Sequence, residues 1–167
     1  MSASMLNRLA GAAAIVAGIL RAIASFAFQF LDTRQTDLLF MIADIALLFA
    51  LFGLYGRVWR AVGWAGLAGF AAAIVGVAIM RGAAGIIDTY FVGIVVLATG
   101  AAVMSAAMLG RRAFPPLAPA LLIAGLAVGV LAYWRQSDWL FETGSVIFGA
   151  GFVVAGVELF RARPKEA

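Results

Sequence analysis

The sequence predicts an all-α integral membrane protein: a bundle of six transmembrane helices in three antiparallel hairpins, both termini in the cytoplasm. Three observations carry that expectation. Of 167 residues, 65% are apolar or aromatic, against roughly 45–50% in an average soluble domain. Charged residues make up only 12%, too few to solvate a compact domain with this much hydrocarbon, so the solvent for most of the chain is lipid. The charges also cluster at short polar breaks, leaving apolar stretches of about 20 residues, the length that crosses a bilayer as a helix.

Taken in order, the first span is 9–31. It follows Arg8 and runs on through Phe26, Phe28 and Phe30, so it reads as a retained helix rather than a cleaved leader. The break 32–37 carries Asp32, Arg34 and Asp37 and precedes a span at 38–55. Gly56, Arg57 and Arg60 mark the break 56–60, and 61–80 is the third span. Arg81 opens the break 81–85, after which 86–109 crosses again. The fifth span, 117–134, begins after Arg111, Arg112, Pro115 and Pro116 in the break 110–116, with proline at the helix start where its missing N–H does no harm. Beyond the break 135–138, the last span is 139–160. Connections this short make consecutive helices antiparallel neighbours and leave one transmembrane domain over 1–167.

Sorting the bases by side fixes the orientation. One side takes Arg8, Arg57, Arg60, Arg111, Arg112, Arg161, Arg163 and Lys165; the other takes Arg34, Arg81 and Arg135. The positive-inside bias puts the first set, and both termini, in the cytoplasm. Tyr55, Trp59 and Trp64 fall at the inner interface and Tyr90, Tyr133, Trp134 and Trp139 at the outer one, as aromatic belts do. The Ala-rich, Arg-over-Lys composition suits a high-GC bacterium, and the general make-up resembles six-span bacterial inner-membrane proteins. The cell inner membrane is the expected location.

Histidine and cysteine are both absent. Their absence removes imidazole-ligated haem, zinc sites of the HExxH type, a Ser-His-Asp relay and thiol chemistry. Lys165 is the only lysine and lies at the tail, so no Schiff base forms inside the membrane. The expectation is a chain with no catalytic residues, no cofactor and no metal. The bases form no continuous patch with interleaved aromatics, so nucleic acid is not an expected partner. Glycine numbers 19 and falls mostly inside spans, where small residues let backbones approach. Gly125 with Gly129, Gly66 with Gly69, and Gly151 with Ala155 are read as packing pairs. Partners beyond the bilayer are other membrane subunits, or a second copy, docked through such Gly/Ala faces.

Ionisable groups inside spans are costly and mark function by default. Arg21 lies ten residues before the outer end of its span and Asp44 six after the outer start of the next, so both sit roughly 10–15 Å below the surface and are expected to pair. Asp88 and Glu142 open their spans near the same face, where a helix-capping role accounts for them. Glu158, three residues before Arg161, reads as an interfacial pair. If the outer ends of spans one, two, four and six converge, Arg21, Asp44, Asp88, Tyr90 and Glu142 line an outward-facing polar cluster.

Two roles follow. The first is an accessory, assembly or interaction subunit of a membrane complex. The second is a small solute transporter or channel that uses the outer cluster, with Asp44 or Glu142 as a titrating carboxylate. The inner halves offer few polar groups beyond Thr99 and Ser105, so no path to the cytoplasm is legible.

Overall fold

A computed structural model describes residues 3–27, 30–80 and 89–161, with the side chains of residues 3, 4, 27 and 90 outside the description. Among the described residues there are five α-helices: α1 (Ala3–Ala27), α2 (Thr33–Met80), α3 (Thr89–Gly110), α4 (Leu117–Arg135) and α5 (Asp138–Arg161). All five are long and apolar enough to cross a membrane. The expected six separate helices are thus five elements, because helix continues through the predicted break 56–60.

Gly63 explains the difference. A straight helix of 48 residues would run about 72 Å, more than twice the hydrocarbon thickness. The backbone instead departs from helical geometry at Gly63, with φ 61° and ψ −156°, a region open essentially only to glycine. The two arms, 33–62 and 64–80, lie side by side. Tyr55 stacks on Phe70 with ring centroids 4.4 Å apart, and Phe52 meets the same ring edge-on at 5.3 Å. Both ends of α2 also reach one residue of α1, since Arg21 contacts Asp44 and Met80. The residues expected to form a loop, Arg57, Trp59 and Arg60, are exposed final turns of the first arm.

The predicted break 32–37 is likewise mostly helix. Asp32 caps α2, its Oδ1 accepting the Gln35 N–H at 2.8 Å and its carbonyl accepting the Thr36 N–H at 3.0 Å, so a polar run read as a loop is a cap and first turn. The α3–α4 turn closes with Arg112 at φ 50° and the Ala113 N–H bonded to the Met108 carbonyl. Gln136, also left-handed, ends α4 with its N–H on the carbonyls of Ala132 and Tyr133.

Packing is inverted relative to a soluble protein. Alanines such as Ala14, Ala17, Ala24, Ala50, Ala73 and Ala101 are buried, while Ile23, Ile45, Phe49 and Phe52 face outward. Lipid solvates large apolar groups as well as the core does, so what association selects is close backbone approach. Two seams show it. On α1 and α5, Gly11 faces Gly156 and Gly18 faces Gly149; a methyl group on Gly156 would lie 2.6 Å from the Gly11 carbonyl oxygen. On α2 and α3, Gly69 faces Gly100 and Gly76 faces Gly93, a methyl on Gly100 falling 2.6 Å from the Gly69 oxygen. In both seams the glycines are seven residues apart, and the pairings run antiparallel. Of the pairs read from sequence, Gly125 packs against Phe148, Gly151 against Leu122 and Gly69 against Met104, but a methyl on Gly129 would meet nothing within 4 Å, so that half of the Gly125–Gly129 expectation is corrected. Gly66 instead faces Val62 across the turn at Gly63.

Each helix touches its chain neighbours, and α1 also touches α5, which closes the ring. Of the neighbouring pairs, α3 and α4 pack most sparsely.

Candidate functional site: a cavity at one end of the bundle

Arg21 sits on the inward face of α1 because the glycine seam lies one turn away at Gly18. It is 9% exposed, and Asp44 is 3% exposed. Arg21 Nη1 lies 3.6 Å from Asp44 Oδ1, the contact that the depth arithmetic predicts. Two unlike charges taken out of water offset each other's desolvation when they meet, whereas either alone would not be tolerated. The guanidinium has two further contacts, and the Arg21 backbone one. Nη2 donates to Met80 Sδ at 3.9 Å, the cation lies 5.7 Å from the centroid of the Phe40 ring, and Ser25 Oγ donates to the Arg21 carbonyl at 3.2 Å. Arg21 therefore ties α1 to both arms of α2.

Its other side faces a cavity of about 840 Å³, within the range of small-molecule sites. Arg21, Ser25 and Phe40 line it from α1 and α2, and α3 contributes Phe91, Ile94 and Val95. Tyr133 and Gln136 come from the end of α4, and Asp138, Glu142 and Phe148 from the start of α5. Because Gly18 faces Gly149 in an antiparallel pair, Glu142 is level with Ser25, and Arg21 lies about 6 Å deeper, one helical turn. The wall is positive at the floor and negative at the mouth. Several lining residues, Phe91, Val95, Val130 and Tyr133, are exposed rather than buried. The cavity lies beside the contact of α3 with α4, the sparsest between chain-neighbouring helices. Below Arg21 the interior is filled by Leu47, Leu51, Leu97, Met104 and Phe152, so it does not reach the other end. A hollow of about 550 Å³ at that end is a surface recess around the α3–α4 turn, beside Arg112 and Phe114.

No family model, curated protein or solved structure matches the chain.

Of the residues expected in the outer cluster, Arg21 and Glu142 line the cavity, and Asp44 stands behind Arg21. Asp88 lies outside the described residues. Tyr90 belongs to α3, but its side chain is likewise outside the description. The capping role expected of Glu142 is corrected. Ser137 Oγ accepts the Leu140 N–H at 3.5 Å and the first-turn carboxylate of α5 is Asp138, so Glu142, a turn further in, faces the cavity instead.

Sequence reasoning missed the aromatic wall. Phe40 was legible in principle, four residues before Asp44 and so on the same helical face. The contributions of Phe91, Tyr133 and Phe148 depend on how α3, α4 and α5 are rotated, which no local pattern encodes. Thr99 lines the cavity, while Ser105 is fully buried with no hydrogen-bond partner for its hydroxyl among the described residues.

Proposed function

We propose that the chain crosses a bacterial inner membrane six times, the two arms of α2 being separate crossings, and that it binds and moves a small solute through the cavity at its outer face. The fold-back at Gly63 and the gathering of Arg8, Arg57, Arg60, Arg111, Arg112 and Arg161 at one end of the bundle support the topology, with both termini in the cytoplasm. The observation that carries the function is the 840 Å³ cavity with a nine-tenths-buried arginine at its floor and Glu142 on its wall. An ionisable pair this deep in a bilayer is costly to keep unless it serves binding or movement. Its closed inner half corresponds to the outward-open state of a transporter.

The accessory-subunit role draws less support. It was to dock partners through Gly/Ala faces, and the main glycine faces are spent inside the chain, Gly11, Gly18, Gly69 and Gly76 on other glycines.

Two experiments test the proposal. The chain has no cysteine, so Arg111→Cys, Arg161→Cys and Ser137→Cys can each be labelled with an impermeant maleimide. The first two should react from the cytoplasmic side and the third from outside; Arg111 and Ser137 reacting from the same side would end the six-crossing topology. In proteoliposomes, solute uptake driven by an imposed pH gradient should be lost in Glu142→Gln without loss of fold. Absent uptake by the wild type, with a fixed partner co-purifying in mild detergent, would return the chain to the accessory role.

A further inference from the structure

The charges around the cavity do not balance, and the imbalance names a ligand class. Among the described residues Arg21 is the only cation in the lining, and Asp44, 3.6 Å behind it, offsets its charge. Asp138 and Glu142 remain on the wall, and among the described residues no cation pairs with Glu142. The mouth therefore holds surplus negative charge among the described residues, with Glu142 half-buried beside apolar side chains and Asp138 exposed, and a cation is attracted more strongly at Glu142 than in bulk solvent. Aromatic faces beside it, Tyr133 and Phe148 among them, favour a cation further.

The floor adds a second requirement. A guanidinium carries five N–H donors, and the contacts of Arg21 with Asp44 and Met80 are long, at 3.6 and 3.9 Å; Nη1 is buried against Asp44, and it is the small exposed part of the side chain that lines the cavity. Donor capacity is left over at the deep end. A neutral acceptor such as a carbonyl can take it; an added anion would meet Asp44 below and Glu142 above. The apolar part of the lining, beside the sparse contact of α3 with α4, suits a ligand with an apolar body.

We propose that the cavity binds an amphiphilic organic monocation, its charge beside Glu142 and Asp138 and a hydrogen-bond acceptor reaching Arg21. The assignment rests on the solute-binding reading of the same cavity.

Xanthene dyes of one ring system separate the two, because a cationic rhodamine ester, its zwitterionic free acid and anionic fluorescein share a body and differ in charge. Fluorescence anisotropy on the full chain in nanodiscs should show the ester binding at least tenfold tighter than fluorescein. Glu142→Gln should weaken the ester tenfold or more, with Asp138→Asn acting in the same direction. Gly129→Leu projects into open space on the cavity wall and should abolish binding of every dye; thermal unfolding of each variant checks its fold. Equal or tighter binding of fluorescein, or an unchanged affinity in folded Glu142→Gln, overturns the cation assignment while dye binding that is lost in Gly129→Leu keeps the cavity reading. If no dye binds, or if Gly129→Leu folds and binds like the wild type, the cavity reading falls and takes the cation with it.

Discussion

The two sides of this bundle are built on opposite rules. Where α1 meets α5 and α2 meets α3, glycines spaced by seven residues bring backbones into contact, and there is no room for a single methyl group. Where α3 faces α4 the contact is sparse, and a cavity lined by Phe91, Tyr133 and Phe148 as well as Gly129 lies beside it. Lipid gives no hydrophobic reward for burying a leucine, so a seam of small residues holds two helices together by dispersion and close backbone contact. The lesson is that a glycine closes a seam only where a second backbone lies against it: Gly18 does so, whereas Gly129 faces open space on the cavity wall. Arg21 stands at the border, one turn from the seam glycine Gly18 and on the cavity floor.

Breaking that border should have the largest effect. Arg21→Leu or Asp44→Leu alone breaks the buried ion pair and is expected to destabilise by about 3–5 kcal/mol, whereas the double substitution should recover much of the loss. Equilibrium unfolding in mixed micelles reads both, and a double variant as unstable as the singles would mean that the pair is not the reason for the charges.

Next comes the seam. Gly18→Val forces a side chain onto the Gly149 carbonyl and should cost about 1–3 kcal/mol or more, since overpacking displaces two backbones; a thermal midpoint equal to the wild type's would show that the seam is looser than it looks. Gly63→Ala tests the turn by another route. A methyl there meets nothing within 4 Å, so the expected penalty, about 1–3 kcal/mol, comes from backbone conformation alone. The ring contact between Tyr55 and Phe70 should loosen with it, which ultraviolet near-band circular dichroism would register.

The smallest effect is expected on the open side. Gly129→Ala also meets empty space, but in regular helix, and should stabilise by up to about 1 kcal/mol through helix propensity. Comparing Gly18→Val with Gly129→Ala sharpens the contrast between the two sides with the least disturbance.

How much was legible follows from the range of each signal. Membrane residence, the approximate spans and the Arg21–Asp44 contact all rest on counting along the chain, because depth in a bilayer is set by position within a span and antiparallel neighbours must match depths. The break at 56–60 was misplaced because charge is a proxy for a turn, whereas the turn itself needs a backbone conformation that only Gly63 supplies. Glu142 was assigned to a cap because Ser137, the group that performs it, looks like an ordinary loop residue. The seven-residue glycine seams could have been seen: Gly11, Gly18, Gly149 and Gly156 share a spacing that the shorter GxxxG pattern passes over.

Composition alone determined the solvent, and with it the helical class, because a chain this apolar must satisfy its backbone internally wherever water is absent. Charge placement along the chain determined which residues share a depth. Only the tertiary structure decided that α3 and α4 meet sparsely, that Glu142 looks inward, and that Arg21 closes the floor of a cavity. Helix rotation and separation are set by the summed fit of faces far apart in sequence, and no short stretch carries that sum.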